Sequence, residues 1–248
     1  MKKVVIVGAS SGIGLAAAEA FARGGISVGL AARNVEPLRA LQAKFPGRVF
    51  FSKIDVSAPE APRQLDDLIR RLGGMDLYFH VAGIGYRNPD LDPEKEVAIF
   101  ETNTVGVVRC VSAAWQYFRH RGLSGRIAVI SSVAGTKGIA DLSAYSASKA
   151  AVSTWLDALR QLSNHLDAGI SITDIRPGWI RTPLVLPDVK YPLEMSVEEV
   201  LPQILRAILH RKPVAIIDWR WNLLVGLWRL IPGCIWRNSY ISIPLKEK

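Results

Sequence analysis

Tyr145 and Lys149 stand four residues apart, so on a helix they share one face. An ammonium beside a phenol favours the phenolate and lowers its pKa from about 10. That moves a tyrosine toward the range useful for proton transfer near neutral pH. Ser132 closes an apolar run that begins near Arg126. A hydroxyl at such a strand end can hold the oxygen of a small molecule, because ligands collect at the carboxyl edge of parallel sheets. Taken alone, the Tyr-x-x-x-Lys spacing also fits an exposed helical pair.

A second group is the turn Gly8-Ala9-Ser10-Ser11-Gly12-Ile13-Gly14, which follows a β-branched run and opens an alanine-rich one. Small residues there let the backbone approach a pyrophosphate. A helix N-terminus adds free N–H groups and positive potential. The spacing is G-x-x-x-G-x-G, not G-x-G-x-x-G, and no Lys-Ser/Thr follows to make a P-loop. A plain strand-to-helix turn is the alternative. The stretch Leu30-Ala31-Ala32-Arg33 then carries an arginine and no acid. An acid at this place would take the ribose hydroxyls of NAD. A guanidinium instead forks onto the oxygens of a 2′-phosphate. The expected cofactor is therefore NADP(H).

Regular elements must position these groups. Residues 3–7, 27–31, 49–54, 77–81, 126–131 and 170–175 read as short buried strands. Residues 15–23, 37–44, 61–72, 94–119 and 143–166 read as helices, the first stopped by Gly24-Gly25 and the second carrying Pro37 near its first turn. The alternation predicts an α/β protein: a Rossmann-type doubly wound parallel sheet with helices on both faces, in a single domain. Residues 1–185 would carry the dinucleotide-binding and catalytic part. Residues 186–248 would be a Trp/Arg-rich extension of the same domain on the substrate side.

As an ordered set, Gly8-x-x-x-Gly12-x-Gly14, Asn103, Ser132, Tyr145-x-x-x-Lys149 and Pro177-Gly178 resemble the short-chain dehydrogenase/reductase family, from about residue 4 to about residue 185. The resemblance implies hydride transfer between a nicotinamide and a carbonyl or alcohol substrate. It implies Tyr145 as general acid/base. Lys149 would lower its pKa and contact the nicotinamide ribose, and Ser132 would hold the substrate oxygen. Asn103 would support a water-linked proton path to Lys149. Gly8, Ser10, Ser11, Gly12, Ile13 and Gly14 would cradle the cofactor, with Arg33 at its 2′-phosphate. Asp55 and Val56 would sit by the adenine, and Ala82 and Gly83 beside the cofactor. Asn103, Tyr145 and Lys149 would complete its site, and Pro177, Gly178, Ile180 and Thr182 would flank the nicotinamide. A homodimer or homotetramer paired through residues 94–119 and 143–166 is also implied. Two departures stand out: Val7 where members commonly carry threonine, and His80-Val81-Ala82-Gly83 where they commonly carry Asn-Asn-Ala-Gly. The second removes a bracing asparagine. His80 reads as a packed strand residue, and Tyr86 and Trp179 as candidates to line the substrate pocket.

Composition bounds the rest. With 49% hydrophobic and 21% charged residues the chain folds rather than staying disordered. Cys110 and Cys234 make neither a disulfide framework nor a metal motif, so no metal is expected and a cytoplasmic setting is favoured. The apolar run to Phe21 behind Lys2-Lys3 imitates a secretory signal, but its glycines fit the nucleotide turn better. The net charge of +9 suits a phosphorylated ligand or anionic lipid, and no nucleic-acid partner is expected. After Pro213, Trp219, Trp221, Trp228 and Trp236 alternate with Arg220, Arg229 and Arg237. Such a segment could cover the substrate pocket, pack at a subunit interface, or lie on an anionic membrane as an amphipathic strip.

Overall fold

Successive side chains of a strand point to opposite faces, so a strand buried on both sides feeds two cores. In the computed structural model, which describes residues 1–186 and 189–240, β1 (Lys3–Val7) does this. Val4 and Ile6 enter one core, Val5 and Val7 the other. The same split divides Leu77 and Phe79 from Tyr78 in β4 (Leu77–His80), and Ala128 and Ile130 from Ile127 and Val129 in β5 (Gly125–Ile130). The sheet is completed by β2 (Ser27–Ala32), β3 (Val49–Lys53), β6 (Ile170–Arg176) and β7 (Val214–Ile216). All pairings are parallel, in the order β3-β2-β1-β4-β5-β6-β7. Chain order reverses between β1 and β4, the place where doubly wound sheets open a crevice.

Helices α1 (Gly12–Arg23), α2 (Glu36–Lys44) and α7 (Val197–Leu209) cover one face; α3 (Ala61–Leu72), α5 (Gly106–His120) and α6 (Ser143–His165) cover the other. A single-domain α/β architecture of the expected kind results. Two features depart from the sequence reading. First, a seventh strand and α7 follow residue 180. The start of α7 has a capping box between Ser196 and Glu199, a signal present in the sequence. Second, the expected helix 94–119 is α4 (Pro93–Phe100) joined to α5 by a π-helical turn, Glu101–Val105. The whole run Pro93–His120 is long and apolar enough to cross a membrane by length and composition. Val107, Cys110, Val111, Ala114 and Phe118 of its inner face pack into the core beneath the sheet.

The start of α1 is held close to the turn before it. A Cβ on Gly14 would lie 2.1 Å from the Gly8 carbonyl oxygen, and one on Gly8, at φ +89°, would lie 2.3 Å from the Ala82 nitrogen. Alanine favours a helix interior over glycine by roughly 1 kcal/mol. That gain does not offset a collision with a backbone oxygen. Gly14→Ala is expected to destabilise the fold by about 1–3 kcal/mol in urea denaturation, the range for overpacking.

Candidate active site

One cleft at the carboxyl ends of the strands, about 570 Å³ in volume, gathers almost every candidate residue. Gly8, Ser10, Ser11, Gly12, Ile13, Arg33, Asp55, Val56, Ala82, Gly83, Ser132, Tyr145, Lys149, Pro177, Gly178, Ile180 and Thr182 all line it. Gly14 and Asn103 do not; each supports the wall from behind.

The glycine turn is tied to β2 by Gly8 and Ala9, whose N–H groups donate to the Ala31 carbonyl at 2.8 and 3.2 Å. Ser11 caps α1 without a side-chain bond to the first turn, which leaves that turn's N–H groups for a ligand. Across the cleft a Cβ on Gly12 would meet the Thr182 methyl at 3.0 Å, so β6's outgoing loop closes on the turn. Val81 and Ala82 donate to the Val7 carbonyl at 2.7 and 2.9 Å, closing the crevice between β1 and β4. Arg33 is exposed at the rim. Burial opposes the Asp55 charge, but the Ser57 hydroxyl and N–H, at 2.7 and 3.0 Å, and the field of Arg33 hold its carboxyl below the usual range. This small-residue cradle with an uncapped helix start fits a dinucleotide.

At the inner end, Lys149 is 4% exposed and donates to the Ile130 carbonyl at 3.1 Å. Burial brings its pKa down to about 8, and the Asp174 carboxylate pulls back the other way. Asp174 is fully buried, paired with Arg176 at 2.7 Å and with the Ser131 hydroxyl. Ser131 also lines the cleft, but its hydroxyl is committed to Asp174 and the Ile175 carbonyl. The Ser132 hydroxyl accepts from the Ala134 N–H at 3.1 Å and lies within reach of Tyr145. Tyr145 sits with its ring centre 5.7 Å from the Lys149 ammonium and packed against Gly85, where a Cβ would approach it to 2.7 Å. Its pKa is raised, because burial outweighs the Ser132 hydrogen bond. Desolvation thus sets the direction of the net shift.

Asn103 sits in the π turn, a distortion that often marks a functional site. Its amide brackets Ile84, accepting from the N–H and donating to the carbonyl, both at 2.8 Å, and it reaches the Ser148 hydroxyl at 3.2 Å. It thereby pins the loop after β4 to α6. His80, where a bracing asparagine was expected, is fully buried and shares a 2.8 Å hydrogen bond with the Tyr78 hydroxyl. Burial, with Lys149's charge second, takes its pKa to about 3, so it stays neutral. Tyr86 is buried and packs with Ile99 and Ala144 outside the cleft lining.

The sequence reading left the roof as one of three alternatives for the tail. Trp221, Trp228 and Trp236, from α8 (Trp219–Leu230) and α9 (Gly233–Asn238), line the cleft with Trp179, Ile139, Leu142 and Val185. Trp221–Trp228 and Trp228–Trp236 meet edge to face at 6.4 and 6.1 Å. Each indole N–H is bonded: to the Leu193 carbonyl at 3.2 Å, the Thr136 hydroxyl at 2.8 Å and the Gly138 carbonyl at 2.7 Å. A Cβ on Gly178 would lie 2.0 Å from the Trp221 ring, which explains that glycine without any backbone strain. Covering the pocket, one of the readings open for the tail, is what its inner face does in the fold.

Comparison with known proteins fits this geometry. The family model described as short chain dehydrogenase matches residues 2–190. An uncharacterized oxidoreductase of Mycobacterium tuberculosis is 32% identical, over 96% of each chain. A farnesol dehydrogenase of Aedes aegypti is 34% identical, over 74% of this chain and 79% of its own. A solved short-chain type dehydrogenase/reductase from Mycobacterium marinum superposes with a TM-score of 0.79 at 30% identity, over 89% of this chain and 95% of that one. The chain belongs to the short-chain dehydrogenase family, whose members use a nicotinamide cofactor and act on small molecules.

The buried lysine has a cost. Its folded pKa lies below the 10.5 of an exposed lysine, so folding penalises the charged form. The penalty is complete below pH about 8, shrinks between there and about 10.5, and amounts to about 3 kcal/mol. Lys149→Met is therefore expected to be more stable than the parent at pH 7, with the gap closing as pH rises through that window. Denaturant melts across pH check it.

Proposed function

We propose that this protein is an NADP(H)-dependent carbonyl reductase or alcohol dehydrogenase. The observation that carries this reading is the meeting of Ser132, Tyr145 and Lys149 in the same cleft as the glycine turn and Arg33. In this reading the glycine turn and the start of α1 hold the pyrophosphate, Arg33 the 2′-phosphate and Lys149 the ribose beside the nicotinamide. The nicotinamide, when bound, supplies or accepts the hydride.

The chain's own residues handle oxygen and proton. Ser132 holds the substrate oxygen. Tyr145, protonated at neutral pH because its pKa is raised, donates to that oxygen during reduction. Lys149 faces the phenol with a charge that stabilises it as it ionises. Asn103 keeps the loop after β4 in place, so Gly83 and Gly85 stay packed against Lys149 and Tyr145. The tryptophans, Ile139, Leu142 and Val185 shut out water and receive an apolar substrate body. The farnesol dehydrogenase among the relatives supports a substrate with a largely hydrocarbon frame. Val97, Phe100 and Leu162 are exposed on α4 and α6, which supports self-association through the long helices.

Tyr145→Phe keeps the ring and removes the hydroxyl. Turnover with a panel of ketones and NADPH is expected to fall by about two to four orders of magnitude, with cofactor binding nearly intact. Near-parental turnover would remove Tyr145 from the mechanism. Arg33→Ala is expected to weaken NADPH binding by about 1–3 kcal/mol, the range for a charged hydrogen bond, and to leave NADH binding little changed. Calorimetry with both cofactors measures it; equal or reversed affinities in the parent would exclude the NADP(H) preference.

A further inference from the structure

The helix that roofs the cleft is apolar on two opposite faces. Trp221, Val225 and Trp228 of α8 turn inward. Trp219, Leu223, Leu227 and Leu230 are 74%, 58%, 56% and 78% exposed. At 3.6 residues per turn these four fall within an arc of about 80°. Ile235 of α9 is likewise 57% exposed. An amphipathic strip is one of the three readings the sequence leaves open for this segment; in the fold its inner face lines the cleft, and a second apolar face is left outward. Contiguous exposed apolar surface of this kind marks a site of association.

The charge around it selects the partner. From Pro213 to Tyr240 the only acid is Asp218, already paired with Arg220 at 2.8 Å. Arg229 and Arg237 are exposed, and the chain carries a net charge of +9. A second copy placed on this face would bring two such acid-poor, basic segments together. An anionic surface accepts them, and Trp among leucines beside Arg is the composition of a helix lying at a lipid headgroup boundary. We propose that the outer face of α8 and α9 docks on an anionic lipid surface. One helix then faces the bilayer on its outside and the apolar cleft on its inside. Apolar substrates concentrated in the bilayer are thereby delivered next to the cleft. The docking itself does not depend on turnover and is read without cofactor or substrate.

The test is sedimentation of the full chain with vesicles of equal parts phosphatidylcholine and phosphatidylglycerol, against phosphatidylcholine alone. Binding is expected to the anionic vesicles, to weaken with salt, and to blue-shift tryptophan emission. Leu223→Asp combined with Leu227→Asp touches no cleft-lining residue. The bound fraction of this variant is expected to fall about tenfold or more, with circular dichroism and melting unchanged. Absence of binding at low salt, or equal binding by parent and variant, would overturn the proposal. So would a lower oligomeric state of the variant by sedimentation velocity, which would assign the face to a second copy. If the variant unfolds, Leu230→Asp alone carries the same comparison.

Discussion

A buried ammonium organises this molecule. Lys149 projects from α6 under the end of β5, is bonded to the Ile130 carbonyl, and is almost excluded from water. Desolvating a cation is expensive, and the fold meets part of that expense with the buried Asp174 carboxylate. Asp174 needs its own partners, Arg176 and Ser131, so a charged cluster runs through the ends of β5 and β6. The neighbouring His80 is kept neutral by burial and, second, by the Lys149 charge. The charge that the proposed chemistry uses is thus maintained against the stability of the fold, a trade seen where function needs strain.

The second constraint is the exclusion of water above that charge. The indole ladder of Trp221, Trp228 and Trp236 is fastened by hydrogen bonds to the turns after β5 and β6. Lys137 ties the roof further by donating to the Ile231 carbonyl at 2.7 Å, its ammonium 5.1 Å from the Trp236 ring centre. Beyond it, Tyr240 donates to Asp141 at 2.7 Å. The roof is therefore a strap over the cleft, anchored at several points. Low-dielectric walls of this kind strengthen the electrostatics at the inner end of the cleft.

How much of this is legible in the sequence follows from distance along the chain. The strand–helix alternation, the glycine turn and the Tyr145–Lys149 face are local patterns, and the structure forms them within a residue or so of the expected bounds, α1 excepted, which starts three residues early. The roof is not local: Trp228 meets Thr136 across 92 residues and Trp236 meets Gly138 across 98. With apolar residues on both faces, α8 has no periodicity to show which face packs. β7 is three residues long, below what a pattern can signal. The π turn that sets Asn103 has no sequence mark either. The net direction of the Tyr145 shift is not legible in the sequence for a related reason. Spacing shows that an ammonium is near, but only the fold shows how much water both groups have lost.

Everything proposed for the cleft depends on Lys149 being a desolvated cation whose proton is held less firmly than in water. Selective labelling of lysine side chains, with the Lys149 resonance assigned by its loss in Lys149→Met, allows direct titration by NMR. The structure predicts a midpoint at about pH 8. A midpoint near the ordinary 10.5 would show that water reaches the ammonium, and would contradict the buried-charge account.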